Sequence, residues 1–138
     1  MVGRDLLYAK ADAVKKHVSR AKSRGRVGLE VFLQDPDRQD IVLFNLQLAV
    51  QNCIDMAAHI ISDKGLGVPG SNNDMFYLLE ENDWLDTPLV EKMIKAVGFR
   101  NHVVHEYGKL DLSEVHHASQ HDTQDLLDYV RAVLAKIG

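Results

Sequence analysis

The chain has 138 residues, of which 46% are hydrophobic and 26% charged, and its net charge is −4. One domain spanning residues 1–138 is expected, because a chain of this length can bury a sufficient core without disulfides or a structural metal. The overall charge argues against a protein that binds nucleic acid over its whole surface. The lack of a signal peptide or a long uninterrupted apolar run predicts a cytoplasmic protein with no membrane partner.

A basic helix is predicted at the start of the chain and ends near Gly25 and Gly28. Four apolar residues repeat there at helical spacings: Leu7, Val14, Val18 and Ala21. Residues 1–26 contain eight Lys and Arg but only two acidic residues, a local charge of +6 that leaves −10 for the rest. Such a helix can steer RNA, dock on an acidic partner or form a solvated face, and the sequence leaves these alternatives open.

The middle of the chain predicts two further helices. The longer one follows Pro36 and stops at Gly65, a residue that readily adopts the left-handed conformation common after a helix. Ser71 and Asp74 form a capping-box pattern that opens a short helix through residues 75–82.

The last third predicts two more helices. Thr87 is expected to cap a helix whose first residue is Pro88, and Gly108 is expected to end or bend that helix after Tyr107. A final amphipathic helix begins at about Thr123. Since strand-like alternation is nearly absent, we predict an all-α fold, a four- to five-helix up-and-down bundle.

The helix after Pro88 contains an arginine where an apolar residue is expected. Its regularly spaced residues follow one another at intervals of three and four: Val90, Met93, Val97, Arg100, Val104 and Tyr107. A guanidinium against an apolar surface must find acceptors or reach water. Arg100 therefore either serves the function, or extends from the edge of the bundle, or pairs with an acid on a neighbouring helix.

The octapeptide RNHVVHEY, from Arg100 to Tyr107, resembles the signature of the HEPN superfamily. With Tyr107 it is similar to the RxxxxHxY pattern of the HepT-like toxin branch. IDMAAHI from Ile54, the VPGS turn around Pro69 and FYLLEEN from Phe76 also resemble segments of that branch. The likeness covers roughly residues 30–112 and implies a HEPN-like bundle.

The resemblance implies a metal-independent endoribonuclease that needs no cofactor and works as a homodimer with two motifs facing one cleft. RNA supplies its own nucleophile, the 2′-hydroxyl, and no DNA substrate is expected. His105 suits the general acid or base, Arg100 suits the phosphoryl oxygens, and Asn101 would orient the ring or the substrate. Because Arg100 and His105 diverge by about 140° on a regular helix, a dimer that supplies complementary copies is the favoured arrangement.

Tyr107 is the predicted control point. In the resembling branch, a minimal nucleotidyltransferase antitoxin transfers AMP to this tyrosine, which implies that the chain is the toxin of a type II/VII-like toxin–antitoxin system. The added phosphate would repel an RNA backbone and inhibit the enzyme. The alternative is a tyrosine that merely ends the apolar stripe with its hydroxyl in water.

Other polar residues are weaker candidates. Asp55 and His59 are four apart and can pair on one helix face, and His102 lies within the motif, three residues before His105. The histidines at positions 116, 117 and 121 form a second cluster, but no HExxH or CxxC spacing accompanies them, so no metal site is predicted. The rival function is a non-catalytic subunit that presents RNA or a nucleotide to a nucleotidyltransferase. A third possibility is a structural bundle in which Arg100 makes only a core ion pair.

Overall fold

Seven α-helices make up most of the computed structural model, which describes residues 2–137, with the backbone alone at Val2 and Tyr107. They are α1 Val2–Gly25, α2 Leu29–Leu33, α3 Pro36–Lys64, α4 Asn72–Glu81, α5 Thr87–His105, α6 Leu112–His117 and α7 Thr123–Ile137. A 3-10 turn, Tyr107–Lys109, follows α5, and a π-helical turn, Ala118–Asp122, joins α6 to α7. No strand occurs within residues 2–137, which confirms the all-α prediction. The two helices that were not predicted, α2 and α6, have only 5 and 6 residues, too few to show a periodic pattern.

The ends of α3 and α4 follow from local chemistry. Gly65 and Ser71 act there as predicted, whereas α3 begins at Pro36 itself and its cap, Asp35, was not predicted. Asp35 caps α3 by accepting a hydrogen bond of 3.1 Å from the backbone nitrogen of Arg38, and Pro36 opens the helix. Gly65 closes α3 in the left-handed conformation, with φ 62°. Ser71 caps α4 by accepting from the backbone nitrogen of Asp74 at 3.2 Å.

Both ends of α5 differ from the prediction. Asp86, and not Thr87, is the N-cap, because its carboxylate accepts from the backbone nitrogen of Leu89 at 3.0 Å. The helix ends at His105, three residues before Gly108, and Glu106 forms its C-terminal cap. The carbonyl of Glu106 then accepts from the backbone nitrogen of Lys109 at 2.8 Å, so the chain closes into the tighter 3-10 turn.

Helix α3 is the centre of the bundle, with α1 packed along it most extensively. A larger apolar cluster joins α1, α3, α4, α5 and α7, and includes Val14, Cys53 and Tyr129. A smaller cluster joins the C-terminal end of α1, α2, α3, α6 and the C-terminal half of α5, and includes Phe32 and Val103. Because α5 contributes to both clusters, its packing partners change along its length.

Two potentially reactive groups are sealed in the larger cluster. Tyr129 is fully buried, and its hydroxyl donates to the carbonyl oxygen of Cys53 at 2.9 Å. Burial raises the pKa of the Cys53 thiol and also the pKa of the Tyr129 hydroxyl, because the charged forms would lose their hydration. Both side chains therefore stay neutral and serve packing.

One helix, α3, is long and apolar enough to cross a membrane by length and composition alone. Its apolar residues are interrupted by polar ones, so its average hydropathy, and not an unbroken apolar run, meets that criterion. Of its most apolar 18-residue window, 56% is buried inside the bundle. The apolar character of α3 is thus accounted for by its central position.

Candidate active site

Arg100 lies on α5 at the point where the helix passes from one apolar cluster to the other. Val97, before it, belongs to the larger cluster and Val103, after it, to the smaller one. Val104, which the spacing placed on the buried stripe, is instead 42% exposed. The half-buried Arg100 therefore follows the buried residues Val90, Met93 and Val97 as the last position of their stripe. It lies at a boundary between the two clusters, where a polar group can be in contact with solvent.

Neutral amides hold the Arg100 guanidinium. Its Nη2 donates to Oε1 of Gln51 on α3 at 2.6 Å, and its Nη1 donates to Oδ1 of Asn101 at 3.1 Å. The Nε atom is buried and has no hydrogen-bond partner among the residues that the structure describes. The predicted alternative of a direct ion pair with an acid on a neighbouring helix does not describe this contact, because the acceptor on α3 is an amide.

A carboxylate lies one step behind that amide. Gln51 Nε2 donates to Oδ1 of Asp55 at 2.9 Å, and Nζ of Lys10 on α1 lies 3.1 Å from Oδ2 of the same carboxylate. The structure thus connects Asp55 to Arg100 through Gln51. The sequence reasoning missed Gln51; the only available signal was its position four residues before Asp55 on one helix face.

His59 is not part of this arrangement. The predicted pair between Asp55 and His59 does not form, because both oxygens of the Asp55 carboxylate are taken by Lys10 and Gln51. Within the described part of the chain, His59 Nε2 is buried without a hydrogen-bond partner, close to Gly3 of α1, where an added Cβ would stand 3.0 Å from it. No described contact links His59 to Arg100.

The two histidines of the motif, His102 and His105, have different surroundings at the end of α5. His105 is the last residue of the helix and is exposed. His102 Nδ1 lies 2.7 Å from Oε2 of Glu106, also at the surface. His102 further lines a cavity of about 650 Å³ between α5 and the α6–α7 segment, together with Lys95 and Phe99. An exposed imidazole at a helix end can meet a bound substrate from solvent.

The remaining motif residues are placed as follows. Asn101, predicted to orient His105 or the substrate, bonds to Arg100 in this structure. The backbone of Tyr107 begins the 3-10 turn directly after α5, so this residue does not continue the helix surface. Its hydroxyl, the predicted site of modification, lies outside the described part of the chain.

The cluster of three histidines near α6 is divided. His116 Nε2 is hydrogen-bonded to the carbonyl oxygen of Val27 at 2.7 Å. The rings of His117 and His121 instead contact one another, with their centroids 4.5 Å apart and their planes tilted by 35°. Within the described residues, no group of three or more His, Cys, Asp or Glu is placed to hold a metal ion. These histidines serve local packing and surface contacts.

Comparison with known proteins identifies the family. A family model of HepT-like ribonucleases matches residues 14–133. The chain belongs to the HepT-like ribonuclease family. The family and the enzyme class that RNHVVHEY predicted are thereby confirmed.

HepT-like relatives cover nearly the whole chain. An mRNA nuclease HepT from Shewanella oneidensis is 36% identical over 132 residues, which span 96% of this chain and 98% of the relative. A tRNA nuclease HepT from Aphanizomenon flos-aquae is 27% identical over 93% of this chain and 87% of its own length. The structure of a tri-AMPylated Shewanella oneidensis HEPN toxin in complex with an MNT antitoxin superimposes with a TM-score of 0.88 at 35% identity. It covers 95% of this chain and 98% of that toxin, which confirms the HEPN-like bundle and fits the predicted toxin role.

Proposed function

We propose that this HepT-like ribonuclease is a cytoplasmic, metal-independent toxin that cleaves RNA with Arg100 and His105. The observation that carries the assignment is a guanidinium held by two neutral amides and, among the residues that the structure describes, by no direct carboxylate. Its positive charge is therefore available to a phosphodiester, whereas a directly bound carboxylate would neutralise it. An exposed imidazole five residues later supplies the group that moves protons.

The reaction needs only atoms of the substrate and these side chains. The RNA 2′-oxygen bonds to the adjacent phosphorus while its proton passes to a base, and the bond from phosphorus to the 5′-oxygen breaks as that oxygen receives a proton. The phosphorane formed on the way carries extra negative charge, which Arg100 stabilises. His105 exchanges the protons.

The chemistry can be tested on the purified native chain. Cleavage should continue in excess EDTA, and the product should end in a 2′,3′-cyclic phosphate. An otherwise identical RNA with a 2′-deoxy nucleotide at the cleaved position should resist, because it lacks the nucleophile. Loss of cleavage in EDTA that added metal restores, or equal cleavage of the 2′-deoxy substrate, would contradict the mechanism.

A homodimer with both motifs in one cleft is part of the proposal, and an exposed apolar patch supports it. The patch consists of Ile41 and Phe44, which are 40% and 59% exposed, and of the partly buried Leu48 on the same face of α3. At spacings of three and four, the same face of α3 continues to Gln51 and Asp55, which lead to Arg100. A second copy covering this patch would lie beside Arg100 and could present its own His105, which resolves the divergence of the two side chains on one helix.

Phe44→Glu should separate the dimer. A charge placed in an apolar interface loses its hydration without a partner, so we expect a monomer in sedimentation experiments and at least about a tenfold loss of RNA cleavage. Val68→Glu is the matched control, since Val68 is 95% exposed in the loop between α3 and α4 and should keep the native assembly and activity. A Phe44→Glu protein that remains dimeric and active would place the interface elsewhere.

The proposed partner is a minimal nucleotidyltransferase antitoxin that transfers AMP to Tyr107. The known complex of an AMPylated HEPN toxin with an MNT antitoxin supports this regulation. Tyr107 lies in the turn two residues after His105, so a modification there would lie close in sequence to the proposed catalytic residues.

A further inference from the structure

We propose that Gln51, Asp55 and Lys10 form a support network that orients the Arg100 guanidinium toward the scissile phosphate. The inference rests on the proposed ribonuclease function and assigns these three residues a positioning role. None of them needs to touch RNA. Their effect on cleavage would pass entirely through the direction and the free charge of one arginine.

Continuous contacts carry this inference. From α1 inward, Lys10 Nζ lies 3.1 Å from Asp55, Gln51 Nε2 donates to Asp55 at 2.9 Å, and Arg100 Nη2 donates to Gln51 at 2.6 Å. Each of the two Asp55 oxygens has its own donor. The network thus runs across three helices and ends on the catalytic guanidinium.

The order of the groups fixes which way the Gln51 amide points. An ionised carboxylate only accepts hydrogen bonds, so it selects the NH₂ end of the amide and leaves the carbonyl oxygen facing Arg100. The reversed amide would set its NH₂ against the guanidinium and its oxygen against Asp55, two repulsive contacts. Lys10 offsets the charge of Asp55 on the side away from Gln51.

A neutral amide at position 51 also preserves the charge of the arginine. A carboxylate there would bind the guanidinium with two charge-assisted bonds and compete with the phosphate. Gln51 instead makes one hydrogen bond, and Asn101 makes another. Since Nε of Arg100 is buried without a partner, these two amides are the described groups that set its orientation.

The first test compares two chemically similar substitutions. Asp55→Asn turns one of the two acceptor oxygens into a donor, so the Gln51 amide is no longer held in one direction, and kcat/KM for RNA cleavage should fall about tenfold while thermal unfolding stays close to native. Asp128→Asn is the matched control, because Gln124 Nε2 donates to Asp128 Oδ1 at the same spacing and the same 2.9 Å on α7, in a pair whose described contacts include no arginine.

Gln51→Glu should raise KM, since the new carboxylate competes with the phosphate.

A double-substitution test separates positioning from a general structural effect. In an Arg100→Lys background, Asp55→Asn should produce no further loss, because the guanidinium that the network orients is gone. If the cleavage rate of the Arg100→Lys protein is too low to measure, affinity for a 2′-O-methyl RNA, which cannot be cleaved, replaces it. The effect of Asp55→Asn on that affinity is then compared between the native and the Arg100→Lys backgrounds. Equal losses in both backgrounds, or a native-like Asp55→Asn protein, would overturn the inference.

The outcome also distinguishes this inference from the proposed function. If the native chain cleaves RNA, His105→Ala does not, and Asp55→Asn behaves as native, the network has no positioning role and the ribonuclease assignment stands. If the native chain cleaves no RNA, both proposals are wrong.

Discussion

Alanine in place of His105 or Arg100 should abolish RNA cleavage by the purified chain and relieve growth arrest in cells that express it without a partner. Loss of a general acid or base lowers a rate about 10²- to 10⁴-fold. Loss of a donor to the phosphorane lowers it by about 10²- to 10³-fold. Both effects are measured as kcat/KM on one RNA substrate, and neither should depend on added metal.

The structure predicts different side effects for the two substitutions. His105 is exposed at the end of α5, so His105→Ala leaves no cavity and should unfold at the native temperature. Arg100→Ala leaves Gln51 and Asn101 without their donor, at a cost of about 1–3 kcal/mol. Circular dichroism should show native helix content for both. If the Arg100→Ala protein has lost its helices, its loss of cleavage reports on folding, and the test of catalysis rests on His105→Ala alone.

His117→Ala is the matched control for the imidazole. His117 is exposed on α6, and its Nε2 lies 4.0 Å from Oδ1 of Asp122. It has no role in the proposed reaction. Its alanine variant should cleave RNA as the native chain does. Healthy growth and uncleaved RNA with the native chain itself would favour the rival function, a non-catalytic subunit, and would contradict the enzyme.

Helix boundaries were predictable where the deciding interaction is local. Pro36, Gly65 and Ser71 act on their own backbone or on a neighbour within four residues, so their sequence context is nearly sufficient. At the start of α5 two possible caps are adjacent, and both Asp86 and Thr87 suit the pattern. Only the three-dimensional course of the backbone decides that Asp86 accepts from Leu89.

The proposed catalytic motif stands out in the sequence, whereas its surroundings do not. Arg100 interrupts an apolar stripe, and that contrast is visible in the residues themselves. Gln51 bonds to Arg100 across 49 residues of chain, and a glutamine on a half-buried helix face has no such contrast. Asp55 and His59 had suitable spacing, but competition from Lys10 and Gln51 for one carboxylate is a tertiary effect.

Tyr107→Phe should prevent inhibition by the nucleotidyltransferase antitoxin without impairing RNA cleavage. In the proposed modification the phenolic oxygen gives up its proton to solvent and bonds to the α-phosphorus of ATP, the bond from that phosphorus to the oxygen of the β-phosphate breaks, and pyrophosphate leaves. Phenylalanine lacks the nucleophile. After incubation with the partner and ATP, intact-protein mass spectrometry should show one or more added AMP units on the native chain and none on the variant.

The inhibition follows from charge placed beside the motif. Each AMP brings a negative phosphate to the turn directly after α5, within a few residues of His105. At that range screening by salt is weak, and the added phosphate repels the RNA backbone and competes for Arg100. The modified native chain should therefore lose at least about tenfold in kcat/KM.

Tyr77→Phe supplies the matched control for this experiment. Tyr77 lies on α4 and is 47% exposed, so its hydroxyl is accessible, but it is remote in sequence from the motif. The Tyr77→Phe protein should gain AMP as the native chain does. Cells that express the partner should tolerate the native chain and Tyr77→Phe but arrest with Tyr107→Phe. If the Tyr107→Phe protein still gains AMP, another residue is the acceptor. If the partner protects cells from a Tyr107→Phe protein that carries no AMP, the partner inhibits by binding. The turn after α5 then has no regulatory role.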